Sequence, residues 1–323
     1  MTTSPWGFGL DRELLMVDEK LRDMVKSEEE LLTEAAIHVI AAGGKRLRPT
    51  VTILSYKALG GTDIEKIIDI AVGFELIHSA TLVHDDINDG GSTRRGRTTV
   101  YKKFGLHNAV VTGDFLFVKA FALGGTYDKN VVKTTADACQ KLAEGEILQS
   151  SYRHTAGITL DKYLQVMRRK TAEPIKAGAM VGAYLAGGKP EEIQSMGDYG
   201  LNLGIAFQIV DDILDFTGDE TKTGKTVGTD IKEGYLTLPS LLAIKDSEDS
   251  AGVIRGAVTN QELTSEDVRR CVEVVLKSGA IEKAKGMGEY YGNEALQHLG
   301  SLSNTPYSQS LRELVRKVLD RDS

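Results

Sequence analysis

The chain has 323 residues, of which 41% are apolar and 26% charged, and it carries a net charge of −7 at neutral pH. That length permits a large buried core, the composition is ordinary for a globular protein, and the acidic balance argues against a general nucleic-acid partner. Two cysteines, Cys139 and Cys271, without a CxxC spacing imply neither a disulfide framework nor a zinc site and fit a reducing, cytoplasmic setting.

From the start of the chain, MTTSPWGFGLDRELL lacks a basic segment followed by an apolar one, so it does not read as a signal peptide. Leu14, Leu15, Val17, Leu21 and Val25 form a first apolar stripe at helical spacing, and Leu31, Leu32, Ala35, Ala36, Val39 and Ile40 a second, which stops at Gly43-Gly44. Further helical patterns cover about 49–59, 64–86, 107–124, 130–151, 159–186, 190–217, 237–246, 263–278, 279–298 and 307–320. TVTIL at 50–54 is rich in β-formers but continues into the helix-compatible SYKAL. No run approaches 18 apolar residues, so no membrane span is expected. No linker or repeat divides the chain. The expectation is an all-α fold of more than ten helices in one large domain, residues 1–323. The polar, glycine-rich stretch 218–235, GDETKTGKTVGTDIKEGY, interrupts two helices and reads as a functional loop, a candidate lid. Its GKT lacks the upstream glycine and the strand of a P-loop.

Two stretches carry the chemistry, HDDINDG at 84–90 and FQIVDDILDF at 207–216. Each holds Asp-Asp-x-x-Asp inside an apolar, helix-like segment. On a helix, Gln208, Asp211, Asp212 and Asp215 share a face, as do Asp85 and Asp89, with Asp86 beside them and His78 two turns earlier. Carboxylates about 4 Å apart repel by roughly 4 kcal/mol at an effective dielectric near 20. The flanks ELIHSATLV and LGIAFQIV are apolar nearly all round, so these residues are not a solvated face. Buried carboxylates need a cation, and oxygen-only ligands point to Mg²⁺, which leaves much of its shell to water and substrate phosphate. The clusters thus read as two walls of a metal–diphosphate site rather than as acidic helix ends. Basic tracts accompany them: GGKRLRP at 43–49 (Lys45, Arg46, Arg48), STRRGR at 92–97 (Arg94, Arg95, Arg97) and RRKTAE at 168–173 (Lys170, Thr171). Arginine forks and lysine charges are the phosphate-binding groups of proteins.

With these motifs, and with GDFL at 113–116 and EGEILQ at 144–149 between them, the sequence resembles the trans-isoprenyl diphosphate synthases, the chain-elongating prenyltransferases. The resemblance runs from GGKRLRP to GKTVGTDIKEG. It implies the isoprenoid synthase fold around a central cavity, a homodimer, and isopentenyl diphosphate and an allylic diphosphate as substrates. It further implies that Asp85, Asp86, Asp89, Asp211 and Asp212 bind three Mg²⁺ ions on the allylic diphosphate, with Asp215 completing the second motif. Arg94, Lys170 and Lys225 would contact that same diphosphate. Lys45, Arg48, His78 and Arg95 would hold that of isopentenyl diphosphate, and Thr171 and Gln208 would face the developing carbocation. One position departs: Tyr235 stands where the family commonly has Lys after the EG of the last motif, and Lys232 is the nearest substitute. His84 reads as a helix histidine bonded to backbone. A terpene cyclase would need neither a second intact Asp motif nor the Lys45/Arg48 tract, and a non-catalytic synthase subunit would not keep all six aspartates. Chain length in this family is set a turn before the first Asp motif. The small Ser79, Ala80 and Thr81 there imply a product beyond C15, favouring C25 to C40 with C20 next, unless Phe115 or Phe117 forms the floor. No nucleic-acid partner or membrane span is implied.

Overall fold

The computed structural model describes residues 6–218 and 227–321. The chain is helical almost throughout, and among the described residues the only strands are a two-residue hairpin. It divides into two compact units: residues 1–139, 174–197 and 301–312, and residues 140–173, 198–300 and 313–323.

The first unit is built on α4 (Ile64–Asn88), which packs along α6 (Leu106–Gly124) and against α3 (Leu47–Ala58) and α1 (Asp11–Met24). The Asp63 side chain caps the start of α4 by accepting from the Lys66 N–H, as an N-cap should. The helix is apolar on every side because it is interior: Ile67, Ile68, Ala71, Val72, Leu76 and Ala80 are all buried. The β-rich TVTIL lies inside α3, where Val51, Ile53 and Leu54 are inaccessible; packing overrides propensity. α2 (Glu30–Ile40) and α5 (Val100–Phe104) complete this side. Two sets of ion pairs seal the unit below its surface: Arg46 bridges Asp18 at 2.9 Å and Glu75 at 2.6 Å, and Lys57 pairs with Glu13.

The second unit begins within α7 (Lys129–Ser150). There α8 (Leu160–Met167), the later part of α10 (Pro190–Thr217), α12 (Leu238–Asp246), α13 (Glu248–Thr259), α14 (Ser265–Lys277) and α15 (Ala280–His298) enclose a core that includes Ile205, Ile209, Leu238, Ile254 and Val275. A short α11 (Thr229–Lys232) precedes α12, and α16 (Pro306–Leu319) ends the helical chain. α14 begins with a reciprocal capping box between Thr264 and Asp267.

The helical periods match the structure within a few residues, with four differences. The 159–186 segment is helical but broken by a π-turn over Arg168–Ala172, with α9 (Glu173–Leu185) following. α5, α11 and α13 have no counterpart among the helices expected from periodicity, and α11 falls inside the stretch 218–235 that reads as a loop. α13 carries Gly252 and Gly256, which dilute its apolar stripe, although Ser247 caps it and Glu248 and Asp249 suit the first turn. STRRGR forms the hairpin β1 (Thr93–Arg94) and β2 (Arg97–Thr98), with Thr93 opposite Thr98 and Arg94 opposite Arg97. Finally, α4 and α6 are long and apolar enough to cross a membrane by length and composition, although polar residues interrupt both. The apolar window of α4 is 72% buried within the fold, whereas that of α6 is only 33% buried. Of the candidate lid at 218–235, residues 219–226, Lys225 among them, lie outside the described residues, while the rest includes the short helix α11.

Candidate active site

In the first unit the Asp motif ends α4. Asp85 and Asp89 are half-buried and Asp86 is buried. Three carboxylates at a helix C-terminus face the negative end of the macrodipole, so cations must offset them. The hairpin supplies one: Arg94 Nε donates to Asp86 Oδ1 at 2.6 Å. Burial raises the Asp86 carboxyl above its usual range, and Arg94 opposes that shift. The hairpin tip is Arg95-Gly96, both left-handed at φ 51° and 72°, a two-residue turn of the kind antiparallel strands favour. The tip brings the Arg95 guanidinium against the 43–46 loop. There a Cβ on Gly44 would stand 2.6 Å from Arg95 Nη1, so glycine is what lets the two approach.

Around this tip lie several of the expected phosphate-binding residues. Burial, and after it the charges of Arg48, Arg95, Arg94 and Arg46, hold His78 well below the ordinary imidazole range, so the ring is neutral at pH 7. Lys45 lies in the same loop, its carbonyl accepting from the Trp6 indole at 2.6 Å. Arg46 belongs to the fold instead, turned inward onto Asp18 and Glu75. His84 lies over Gly113 of GDFL, where a Cβ would come within 2.1 Å of its Nε2. It reaches the Val110 carbonyl at 3.4 Å and stacks on Phe117, 6.2 Å between ring centroids. Ser79 and Ala80 are 4% and 0% exposed, and Thr81 is half-buried.

The second unit holds a cavity of about 140 Å³ whose lining includes Lys170, Thr171, Gln208, Asp212, Asp230 and Tyr235. Lys170 and Thr171 sit in the π-turn, a distortion that recurs at functional positions. Gly145 of EGEILQ permits it, since a Cβ there would lie 2.9 Å from the Lys170 nitrogen. Glu146 and Gln149 of the same motif hold the ammonium, at 2.9 Å and 2.8 Å. A hydrogen-bonded chain then crosses the cavity wall. Thr171 Oγ1 donates to Gln208 Oε1 at 2.9 Å, and Gln208 Nε2 donates to Asp212 Oδ1 at 2.9 Å. The buried Tyr163 hydroxyl donates to Asp212 Oδ2. Burial, and then Asp230, push the Asp212 carboxyl up to about 8. Asp215 is raised well above the ordinary range by the same two causes, while its oxygens accept from the backbone N–H groups of Thr229 and Asp230 at 3.1 and 3.2 Å. Asp215 thereby ties α11 to α10. Asp211 is more open, its side chain 42% exposed, and it pairs with Arg321.

Four residues join the site beyond those expected from sequence: Tyr163, Glu146, Gln149 and Asp230. Glu146 and Gln149 carry a local signal, an i, i+3 polar pair beside the apolar Ile147 and Leu148. Tyr163 carries none. Tyr235 lines the cavity with the Arg153 guanidinium 5.5 Å over its ring, whereas Lys232 is exposed and lies outside the lining.

Both carboxylate sets offer oxygen alone. Among the described residues no three His, Cys, Asp or Glu side chains form a closed metal cage. Open sets of one or two hard oxygens suit Mg²⁺, which fills its octahedron with water and substrate phosphate.

A family model described as polyprenyl synthetase matches residues 29–275. The chain is 36% identical over 318 residues to the heptaprenyl diphosphate synthase component 2 of Geobacillus stearothermophilus, covering 97% of each chain. It is 33% identical over 316 residues to the geranylgeranyl diphosphate synthase of Saccharolobus solfataricus, covering 94% of this chain and 95% of the other. Among solved structures, the polyprenyl synthase from Caulobacter crescentus complexed with calcium and isoprenyl diphosphate superposes with a TM-score of 0.94 at 34% identity, covering 100% of both chains.

Proposed function

The chain belongs to the polyprenyl synthetase family, and from that premise we propose that it joins isopentenyl diphosphate to an allylic diphosphate, making an all-trans polyprenyl diphosphate of C25 or longer. It is a prenyltransferase of medium- to long-chain type. The family match covers residues of both units, which supports one synthase domain over residues 1–323.

Supporting the reading most directly is the polar line Lys170, Thr171, Gln208 and Asp212, all lining one cavity. Lys170, held by Glu146 and Gln149, offers its charge to the allylic diphosphate. Thr171 and Gln208 turn fixed dipoles toward the carbon that becomes positive, and fixed dipoles need no reorganisation during reaction. Arg48, Arg95 and Lys45 hold the diphosphate of isopentenyl diphosphate, and neutral His78 adds a hydrogen bond without charge.

Asp85, Asp89 and Asp211, the more open carboxylates of their motifs, would hold Mg²⁺, three ions in all, while Asp86, Asp212 and Asp215 orient them. Bound Mg²⁺ would draw charge onto the leaving diphosphate and so help its C–O bond ionise. The allylic carbon then bonds to the isopentenyl double bond, and a proton leaves to restore the alkene. No covalent protein nucleophile takes part. The apolar helices that carry the carboxylates keep out the water that would quench the cation.

A second copy of the chain would cover the exposed apolar face of α6, where Leu106, Val110, Val111, Val118 and Phe121 are 40–63% exposed. Both cysteines are free thiols, which fits a cytoplasmic protein. The test is incubation with Mg²⁺, isopentenyl diphosphate and geranyl, farnesyl or geranylgeranyl diphosphate, followed by chain-length analysis of the extracted lipid. Elongation to C25 or beyond is expected. No elongation would overturn the reading, and arrest at C20 would overturn the length.

A further inference from the structure

Arg321 lies two residues past the end of α16, and its side chain is 7% exposed. Its guanidinium pairs with Asp211 through Nη2 and lies 4.4 Å over the ring of Phe207, one turn earlier on α10. Its Nε and Nη1 are buried with no hydrogen-bond partner among the described residues. Arginine cannot shed its proton in a protein, and buried N–H groups without acceptors are costly. An aromatic face and one carboxylate are modest returns for that cost. The nearby carboxylates explain the placement better. Asp212, Asp215 and Asp230 gather at the same end of α10, where Asp215 accepts from the Asp230 N–H at 3.2 Å, so negative charge is concentrated there.

We propose that Arg321 is the resident counter-cation of the second Asp motif, which a divalent ion displaces when it takes Asp211. The proposal rests on the reading that Asp211 is a metal ligand. One carboxylate cannot keep a full ion pair with a guanidinium while binding a divalent cation, because the two cations repel at that separation. Metal binding therefore frees the C-terminal turn, and residues 320–321 report metal occupancy at Asp211. Arg321 acts here through Asp211, as a positioning residue.

The probe is Mn²⁺ alone, titrated calorimetrically into the full chain without substrate. Arg321→Gln should tighten one class of Mn²⁺ sites roughly tenfold, the scale expected for removing a unit charge near a divalent ion at partial exposure. Arg321→Lys should stay near wild type, and in an Asp211→Asn background Arg321→Gln should change nothing. Independently of any variant, Mn²⁺ should speed hydrogen exchange at the backbone amides of 318–321 in the wild-type chain. Unchanged or weaker Mn²⁺ binding in Arg321→Gln, an equal effect in the Asp211→Asn background, or unaltered exchange would overturn the proposal. A wild-type chain that binds no Mn²⁺ at all would instead overturn the metal reading of Asp211 itself. Should Arg321→Gln misfold, the wild-type exchange measurement decides.

Discussion

The same Asp-Asp-x-x-Asp pattern meets two different environments. In the first unit it ends a helix, and a hairpin arginine balances it from outside. In the second unit the motif lies in the last turns of a long helix, where Arg321 pairs with the open Asp211 while the inner Asp212 and Asp215 are held by neutral donors, the Tyr163 hydroxyl, the Gln208 amide and the backbone N–H groups of Thr229 and Asp230. The pKa shifts follow from this. Arg94 restrains the rise at Asp86, whereas Asp212 climbs to about 8 with another carboxylate as its neighbour. A charge partner keeps a buried carboxylate ionised; a cage of dipoles beside like charge lets it hold a proton until a cation arrives.

Removing one open carboxylate from each motif tests both environments at once. Asp85→Ala and Asp211→Ala should each lower kcat by about 10²-fold or more, the scale seen when a preorganised electrostatic group is deleted. Steady-state kinetics over a Mg²⁺ series checks it. Near-normal kcat in either variant would mean that the two motifs do not share a metal role.

A smaller effect is expected from the basic loop. Arg48→Ala should raise KM for isopentenyl diphosphate by about 10- to 100-fold, since hydrogen bonds to charged groups contribute roughly 1.5–3 kcal/mol. KM for the allylic substrate should move far less, and Lys170→Ala should show the reverse. Equal shifts on both substrates would remove the assignment of one diphosphate to each set of residues.

Smaller again is the effect of pH on the metal-free chain. Asp212 has a folded pKa of about 8 against an ordinary 3.8, so the folded state binds more protons than the unfolded one between those values. Stability conferred by that proton is complete below about pH 4 and is lost as pH rises toward 8. The melting temperature without metal should therefore fall by a few degrees between about pH 6 and 9, and Asp212→Asn should flatten the trend. Tyr163→Phe should lower stability by about 1–3 kcal/mol, because a buried acceptor loses its donor. A rising melting curve across that range would contradict the shift.

Much of this was legible in the sequence because it was periodic. The helices, both Asp motifs and the tracts around Lys45, Arg48, Arg95 and Lys170 all follow from spacing and residue type, and the all-α fold of the family matches them. What escaped was set by contacts distant in sequence. Tyr163 meets Asp212 across 49 residues, and no local pattern marks it. The π-turn at 168–172 accompanies the close approach of Gly145 on α7 to the Lys170 backbone, a contact distant in sequence that no local pattern marks. The inward turn of Arg46 depends on Glu75, 29 residues away, so Arg46 looks no different in sequence from its neighbours Lys45 and Arg48.

Product length separates the units further, since the candidate floor lies on α4. Ala80 is completely buried and Ser79 nearly so, while Thr81 one residue on is half-buried. A phenylalanine at 80 would enter a packed interior, at a cost of about 1–3 kcal/mol, and would fill whatever space a growing chain uses there. Thr81→Phe faces a more open side of the helix, and its added ring should cost less stability. Both should shorten the product by one or more five-carbon units with little change in the rate of the first condensation. If Ala80→Phe lowers stability but leaves the distribution of extracted prenyl alcohols unchanged, while Thr81→Phe shortens it, the limit lies on the Thr81 side of α4. If neither changes the distribution, the floor is deeper, and Phe117, stacked between His84 and Phe121 at 6.2 and 6.4 Å, becomes the residue to truncate: Phe117→Ala should then lengthen the product.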